Sequence, residues 1–163
     1  MQAALSFSEL LQYTESECRH WHEWLKKNPS ALDVPTDIAE TKNVRQLVLH
    51  IVAVDLRYAQ RLLGEEVARH ETIDTSTDGL FATEELAIKK MRQFVAKASD
   101  SDWQQVITFS TMTAGTVTAT KRKCLVHSLI HGARHWAQLA SILRAAGHKQ
   151  DWRHDFLFSE AMN

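Results

Sequence analysis

Apolar residues recur at roughly helical intervals near the start of the chain, separated by polar residues that would face solvent. The positions are Leu10, Leu11, Cys18, Trp21 and Leu25. Ser6 and Glu9 have the spacing of a capping box, in which each side chain bonds the other residue's backbone at a helix start. Pro29, just beyond two lysines, marks the end. The pattern predicts a first helix from Ser8 to Lys27.

A second apolar segment, VRQLVLHIVAVDLRYAQRLL, begins near Asn43 and ends before Gly64. Its middle is apolar on more than one face, which predicts a well-buried helix, and Gly64 suits the left-handed conformation that closes a helix. The polar stretch over residues 65–80 is too long for a tight turn, so we expect a crossover connection. A third helix is predicted to begin at Thr83, where two glutamates follow the capping residue.

β-Branched residues dominate the next segment, where VITFSTM and TVTAT flank Thr113-Ala114-Gly115 and predict a short β-hairpin. A fourth helix follows, KCLVHSLIHGARHWAQLASILRAA, closed by Gly147. We expect the aromatic residues of the tail to pack back on the helices; they are Trp152, Phe156 and Phe158. Four amphipathic helices with one long connection predict an all-α fold, a four-helix bundle formed by a single domain over residues 1–163.

The charge balance narrows the choice of partners. The 163 residues include 19 basic and 20 acidic side chains, for a net charge of -1, so no basic excess favours nucleic acid as a partner. The segment MQAALSFSELLQYTESE carries neither a cationic leader nor an apolar stretch of signal length, and no 18-residue apolar run could span a membrane. Cys18 and Cys124 form no CxxC pair, which predicts two reduced, buried thiols in a cytoplasmic protein.

Nine histidines are the unusual feature of the composition. His127, His131 and His135 are spaced by four on the fourth predicted helix, and residues at i and i+4 share a helix face and can chelate one ion together. All three cannot, because His127 and His135 lie about 12 Å apart along a helix axis, whereas zinc–nitrogen bonds are only about 2.0–2.1 Å. One helix therefore supplies a pair of neighbours, and a further ligand must come from elsewhere.

His50 is the candidate for that further ligand, in the apolar middle of the second predicted helix. Burying an imidazole costs free energy unless something binds it, and a metal ion shared with the fourth helix would do so. Three imidazoles suit zinc, nickel, copper or iron, and three protein ligands leave the open positions that are typical of a catalytic site. The competing interpretation is a core histidine that is hydrogen-bonded to a carbonyl group.

Other site patterns fit less well. A zincin protease requires HExxH with glutamate as the general base, and Gly132 takes that place between His131 and His135. A di-iron bundle site needs two Glu-x-x-His motifs, and only Glu17 with His20 supplies one. The remaining histidines have no ligand spacing; they are His22, His70, His148 and His154.

The segment around His50, VLHIVAVDLRYAQRLLG, followed much later by HSLIHGARHWAQLASILRAAGHKQDW, resembles the DinB-like (DinB/YfiT) superfamily of stress-associated bacterial proteins. The resemblance covers most of the chain and is strongest from Leu125 to Trp152. It implies a four-helix bundle with a rearranged helix order, often dimeric, whose histidine triad holds one divalent metal ion. The ligand positions fall on His50, His131 and His135. Zinc and nickel are the metals that the resemblance favours, and iron also suits three imidazoles.

Three further positions refine the resemblance. His127 is a frequent histidine of the superfamily, but the resemblance does not imply that it is a ligand. Gln138 stands where relatives often carry a glutamine after the second ligand on this helix. Trp136-Ala137 stands where many relatives have Arg-Gly, a departure that bears on local packing and on substrate similarity.

The resemblance leaves three functional hypotheses. Some relatives are similar to thiol-dependent S-transferases and others to metal-dependent hydrolases, so the first is a metal-dependent enzyme in stress response or detoxification, with a low-molecular-weight thiol as one expected partner. The second is a non-catalytic metal-binding stress protein, and the third is a plain dimeric structural bundle. No general base is assigned, since Asp55 and Tyr58, the polar residues that follow His50, need not face the site. On the resemblance alone, we also expect a homodimer.

Overall fold

The computed structural model describes residues 5–111 and 114–162. Within them, the helices are α1 (Phe7–Lys27), α2 (Val44–Leu63), α3 (Thr77–Lys97), α4 (Asp100–Gln104) and α5 (Lys121–Ala145), and the strands are β1 (Val106–Thr111) and β2 (Gly115–Thr120). The prediction of a helical bundle with a hairpin before its last long helix is confirmed. None of the helices in this part of the chain is long and apolar enough to cross a membrane.

Local sequence signals set the ends of the first two helices. Ser6 Oγ accepts a hydrogen bond from Glu9 N at 3.2 Å, and the Glu9 carboxylate accepts one from Ser6 N at 2.6 Å, which is the predicted capping box. Asn43 caps α2 by accepting a bond from Gln46 N at 3.0 Å. Gly64 follows the last turn of α2 with φ at 71°, as predicted, because only a residue without Cβ adopts this conformation at little cost.

The start of α3 differs from the prediction. The helix begins at Thr77 rather than at Thr83, so the polar connection before it is shorter than expected. The reason is Ser76, whose Oγ accepts a hydrogen bond from Gly79 N at 3.0 Å. A glycine inside a helix is unfavourable by roughly 1 kcal/mol, and a serine cap offsets about that amount, so the first turn forms despite its composition.

The connection after α2 runs back along that helix, so that α2 and α3 are parallel. Arg45, near the start of α2, donates to Thr75 O just before α3 at 2.9 Å. At the other end, Glu65 pairs with Lys90, in the second half of α3, at 2.6 Å. The predicted crossover is therefore present. Contacts between α2 and α5 pair early residues of one helix with late residues of the other, so these two helices are antiparallel.

The hairpin lies where the β-branched residues predicted it. Its two strands pair antiparallel, with Val106 opposite Thr120. Met112 and Thr113, which belong to the predicted strand end and turn, lie outside the described residues. The short helix α4, which precedes the hairpin, was not predicted; it begins with a capping box at Ser99.

Two clusters of buried apolar side chains fill the bundle. Each long helix also contributes one side chain to a buried group that is joined by hydrogen bonds, and we call these four residues the polar layer: Cys18, Asp55, Glu84 and Ser128. Both cysteines of the chain are buried free thiols, as predicted. The polar layer was not predicted, and it lies behind the functional site described below.

The tail packs against the bundle through two of its three predicted aromatic residues. Trp152 meets Trp21 edge-on at 4.9 Å between ring centroids, and Phe156 contacts a tyrosine of α1 at 5.2 Å. The prediction is wrong for Phe158, which is half exposed and lies under the guanidinium of Arg153 at 4.5 Å. A cation above the ring lets this aromatic side chain remain at the surface.

Candidate metal centre

Three imidazoles meet between α2 and α5. His50 comes from the middle of α2, and His131 and His135 come from successive turns of α5. Each offers one ring nitrogen, and these three nitrogens lie within 4.8 Å of one another. The closest pair is His50 Nε2 and His131 Nε2, at 3.1 Å. The structure therefore assembles the three residues that the sequence and the resemblance singled out.

Close approach of the two helices places these side chains together. A Cβ added at Gly132 would lie 3.3 Å from Asp55 Oδ2, which is tighter than an ordinary contact. Any larger residue at this position would push α5 away from α2. His131 and His135 lie beside this glycine, on the same side of α5. Gly132, whose presence rules out the zincin motif, therefore lets both imidazoles reach His50.

Burial keeps the imidazoles neutral. Burial, with contributions from the other histidines and Arg134, lowers the pKa of His131 to about 3. Burial, followed by the charges of His135, His70 and Arg134, lowers the pKa of His50 to about 4. The pKa of His135 is also lowered, mainly by burial. A metal ligand must be a neutral imidazole with a free lone pair, and all three side chains are in that form at neutral pH.

Gln138 fixes the orientation of one ligand. Its amide Oε1 lies 2.7 Å from His135 Nδ1, and an amide oxygen can only accept a hydrogen bond, so Nδ1 carries the proton. His135 Nε2 then presents its lone pair to the site. A partner that holds the second ring nitrogen of a histidine ligand is the usual way in which proteins set the ligand's tautomer. The glutamine noted in the sequence has this role in the structure.

The donor set fits a divalent transition metal ion. Two nitrogen ligands of a tetrahedral zinc ion are roughly 3.3 Å apart, given zinc–nitrogen bonds of about 2.0–2.1 Å, which is close to the spacing of His50 and His131. The alternative is a direct hydrogen bond between these two neutral rings. That bond would use two of the three converging nitrogens and leave the nitrogen of His135 without a part in the site. Three imidazoles with open coordination positions suit zinc, nickel or iron.

The other histidines lie outside this group. His127, one turn before His131, has its ring 5.8 Å from that residue but packs on Tyr58 at 5.2 Å, and it is not part of the set of converging nitrogens. His22 pairs with Asp78 at 2.7 Å. His70, which has no ligand spacing in the sequence, nevertheless lies close enough for its charge to act on His50. Sequence reasoning missed this proximity because it depends on the path of the connection after α2.

Asp55 is separated from the imidazoles by its hydrogen bonds. It accepts a short hydrogen bond from Ser128, and it lies close enough to Glu84 for each carboxyl group to shift the pKa of the other. Burial is the main cause that raises the pKa of both carboxyl groups. Cys18 Sγ donates to Glu84 Oε1 at 3.6 Å. The two carboxyl groups are therefore neighbours within the core, and neither belongs to the group of converging nitrogens.

The sequence contains a signal that Glu84 is buried. The acids that follow Thr83 predict a helix start there, but α3 begins six residues earlier, at Thr77. With that start, Glu84 falls on the same face as Phe81 and Ile88, both buried. A charged residue at an apolar position of a helical pattern indicates a buried polar group that needs a partner.

Comparison with known protein families identifies one that covers nearly the whole chain. The sequence model of the DinB family matches residues 1–162. No curated protein matches the chain at a significant level. The match covers all three imidazole residues, Gln138 and the hairpin.

Proposed function

Because the chain belongs to the DinB family, we propose that it is a metal-dependent enzyme that activates a low-molecular-weight thiol for transfer to an electrophile. The observation that carries this proposal is the convergence of His50, His131 and His135, whose nitrogens lie within 4.8 Å of one another. Zinc or nickel is the ion we expect, with iron as a further option, in keeping with the imidazole donors. A bound ion of this kind supplies Lewis acidity that lowers the pKa of a thiol or a water molecule.

The surroundings of the triad favour a thiol over water as the nucleophile. The charges that act on the three histidines come from other histidines and from Arg134, and none of the described carboxylates is among them. A hydrolase of this type needs a general base to accept a proton from water. A thiol coordinated to a metal ion loses its proton outright. The transfer of sulfur therefore needs no protein base at the site, whereas attack by water benefits from one.

Metal content tests the site. Protein purified without a tag or chelator should contain about one equivalent of metal by mass spectrometry, because one tetrahedral ion takes three protein ligands and an open position. His50→Ala, His131→Ala and His135→Ala should each lose it while circular dichroism shows an intact bundle. His148→Ala, which removes a histidine outside the triad, is the matched control. Equal metal content in all variants would contradict the assignment of the ligands.

Turnover tests the chemistry. We would mix the zinc-loaded protein with glutathione and 1-chloro-2,4-dinitrobenzene, in which a sulfur–carbon bond forms, the carbon–chlorine bond breaks, chloride leaves and the thiol proton passes to solvent. We expect a rate above the uncatalysed reaction that disappears in His135→Ala. Stoichiometric metal without turnover for any of several thiols would instead favour a non-catalytic metal-binding stress protein.

Two further parts of the proposal concern the setting of the enzyme. We propose a cytoplasmic location, which the two buried free thiols, Cys18 and Cys124, support. We also propose a homodimer, in line with the resemblance to the superfamily. Light scattering at micromolar concentration should give twice the 18.6 kDa mass of one chain, and a monomeric mass would remove this part of the proposal.

A further inference from the structure

A line of aromatic and cationic side chains leads away from the histidine triad along the side of the bundle where α2 meets α5. We call it the α2–α5 strip, and it consists of His127, Tyr58, Phe109 and Arg61. The His127 ring is 5.8 Å from the His131 ring and 5.2 Å from the Tyr58 ring. Tyr58 meets Phe109 of β1 at 5.8 Å. The strip thus connects the metal centre to the hairpin without a gap.

Arg61 ends the strip, and its guanidinium has no carboxylate partner among the residues that the structure describes. It lies 4.3 Å from the Phe109 ring centroid and 5.4 Å from that of Tyr58, and its only hydrogen bond in the described structure goes to Ser110 O at 3.4 Å. No ion pair of the described residues includes it, as the five that form lie elsewhere. A partly buried cation without a counter-charge is costly, and an anionic ligand would offset that cost.

The neighbours of Arg61 strengthen its preference for an anion. Arg57, one turn earlier on α2, adds a second positive charge that acts on Arg61. Arg57 Nε is buried without a partner among the described residues. At the other end of the strip, Arg134 adds positive charge beside the triad. The α2–α5 strip therefore has positive charge at both ends and aromatic side chains in the middle.

The spacing sets the length of the ligand. Arg61 follows His50 by eleven residues on α2, which is roughly 16 Å along a helix axis at about 1.5 Å per residue. A molecule that touches both ends must be elongated, with a metal-binding group at one end, an anion at the other and an apolar stretch between them.

We propose that the α2–α5 strip recognises an elongated thiol that carries a carboxylate at its far end, with the carboxylate on Arg61 and the chain of the molecule on Tyr58 and His127. This inference rests on the proposed function, because it takes the thiol end to be held at the histidine triad. Arg61 is in this view a specificity-determining residue. An arginine suits this role because its planar group binds a carboxylate through two hydrogen bonds.

Four probes test the inference by isothermal titration calorimetry on the zinc-loaded protein. They are 8-mercaptooctanoate and 3-mercaptopropionate, with the uncharged 8-mercaptooctan-1-ol and 3-mercaptopropan-1-ol as matched alcohols. The long carboxylate reaches Arg61 and the short one does not. We expect 8-mercaptooctanoate to bind about tenfold more tightly than its alcohol, the gain of one charge-assisted contact. The short pair should differ by less than about threefold, since screened charge alone contributes little.

Variants of Arg61 separate charge recognition from folding. Arg61→Gln should abolish the long-chain preference while zinc content stays the same, and Arg61→Lys should keep part of it. Arg144→Gln, which removes an exposed arginine from the last turn of α5, should keep all of it. Equal affinity for the two long probes, or a preference that survives in Arg61→Gln, would refute this inference alone. Failure of all four thiols to bind would refute the proposed function and this inference with it.

Discussion

Gln138→Leu should weaken metal binding without removing a ligand. In the wild type, His135 Nδ1 donates to Gln138 Oε1 at 2.7 Å, and His135 is only 4% exposed. Leucine is close to glutamine in size but cannot accept the proton, and the buried ring leaves little room for water to replace the bond. Loss of such a supporting contact costs about 10- to 100-fold in metal affinity, or roughly 1.4–2.8 kcal/mol. The depth of His135 places our expectation in the upper half of that range.

Competition with a chromophoric zinc chelator measures this loss directly. Gln138→Glu keeps an acceptor oxygen opposite Nδ1, so its zinc affinity should equal or exceed that of the wild type. Circular dichroism and urea denaturation of the metal-free proteins separate an effect on the ligand from an effect on folding. Equal zinc affinity in Gln138→Leu and the wild type would show that the bond does not set the tautomer of His135, and the reasoning about ligand orientation would fail.

Three shorter predictions concern neighbouring positions. His127→Ala should change zinc affinity by less than about threefold, well below the loss of a supporting contact, because its ring packs on Tyr58; competition with the same chelator tests this. Gly132→Ala should lower the stability to urea by about 1 kcal/mol, since the overpacking cost of about 1–3 kcal/mol against Asp55 exceeds a helix-propensity gain of about 1 kcal/mol; a more stable variant would contradict it. Burial raises the pKa of Glu84 well above its usual value of 4.5. The folded state therefore keeps a proton that the unfolded state loses, and the free energy of unfolding should fall as pH rises above that value, by up to about 1.4 kcal/mol per pH unit. Glu84→Gln should flatten that slope in urea melts at each pH.

The sequence was sufficient to place the helices whose ends carry clear capping chemistry. Ser6 with Glu9 and Gly64 mark helix ends through bonds and dihedral angles that depend on a few adjacent residues. The prediction of where α3 starts was wrong for the opposite reason. Gly79 lowers the intrinsic helix propensity of the first turn of α3. The hydrogen bond from Gly79 N to Ser76 Oγ offsets this cost, but it competes with other turn conformations of similar energy.

The convergence of the three histidines was predictable for a different reason. The spacing of His131 and His135 guarantees that two rings share a face of one helix, and an imidazole in the apolar middle of α2 needed a partner. Neither pattern could choose between the two neighbouring pairs on α5; the resemblance made that choice, and the structure agrees with it. The proximity of His70 to His50 depends on the path of the connection after α2, and the contact of Arg61 with Phe109 depends on where the hairpin lies. No local pattern encodes either.

The polar layer and the triad share one physical cause. Burial disfavours a charge of either sign, so it removes protons from His50 and His131 and keeps them on Glu84. The imidazoles thereby gain the free lone pairs that a metal ion requires, while the raised pKa of the Glu84 carboxyl group makes it a poorer competitor for the same ion. At Gly132, α5 approaches Asp55 closely, so the triad and the polar layer lie near each other. A site of three histidines and no carboxylate is the expected result of placing both kinds of group in the same apolar surroundings.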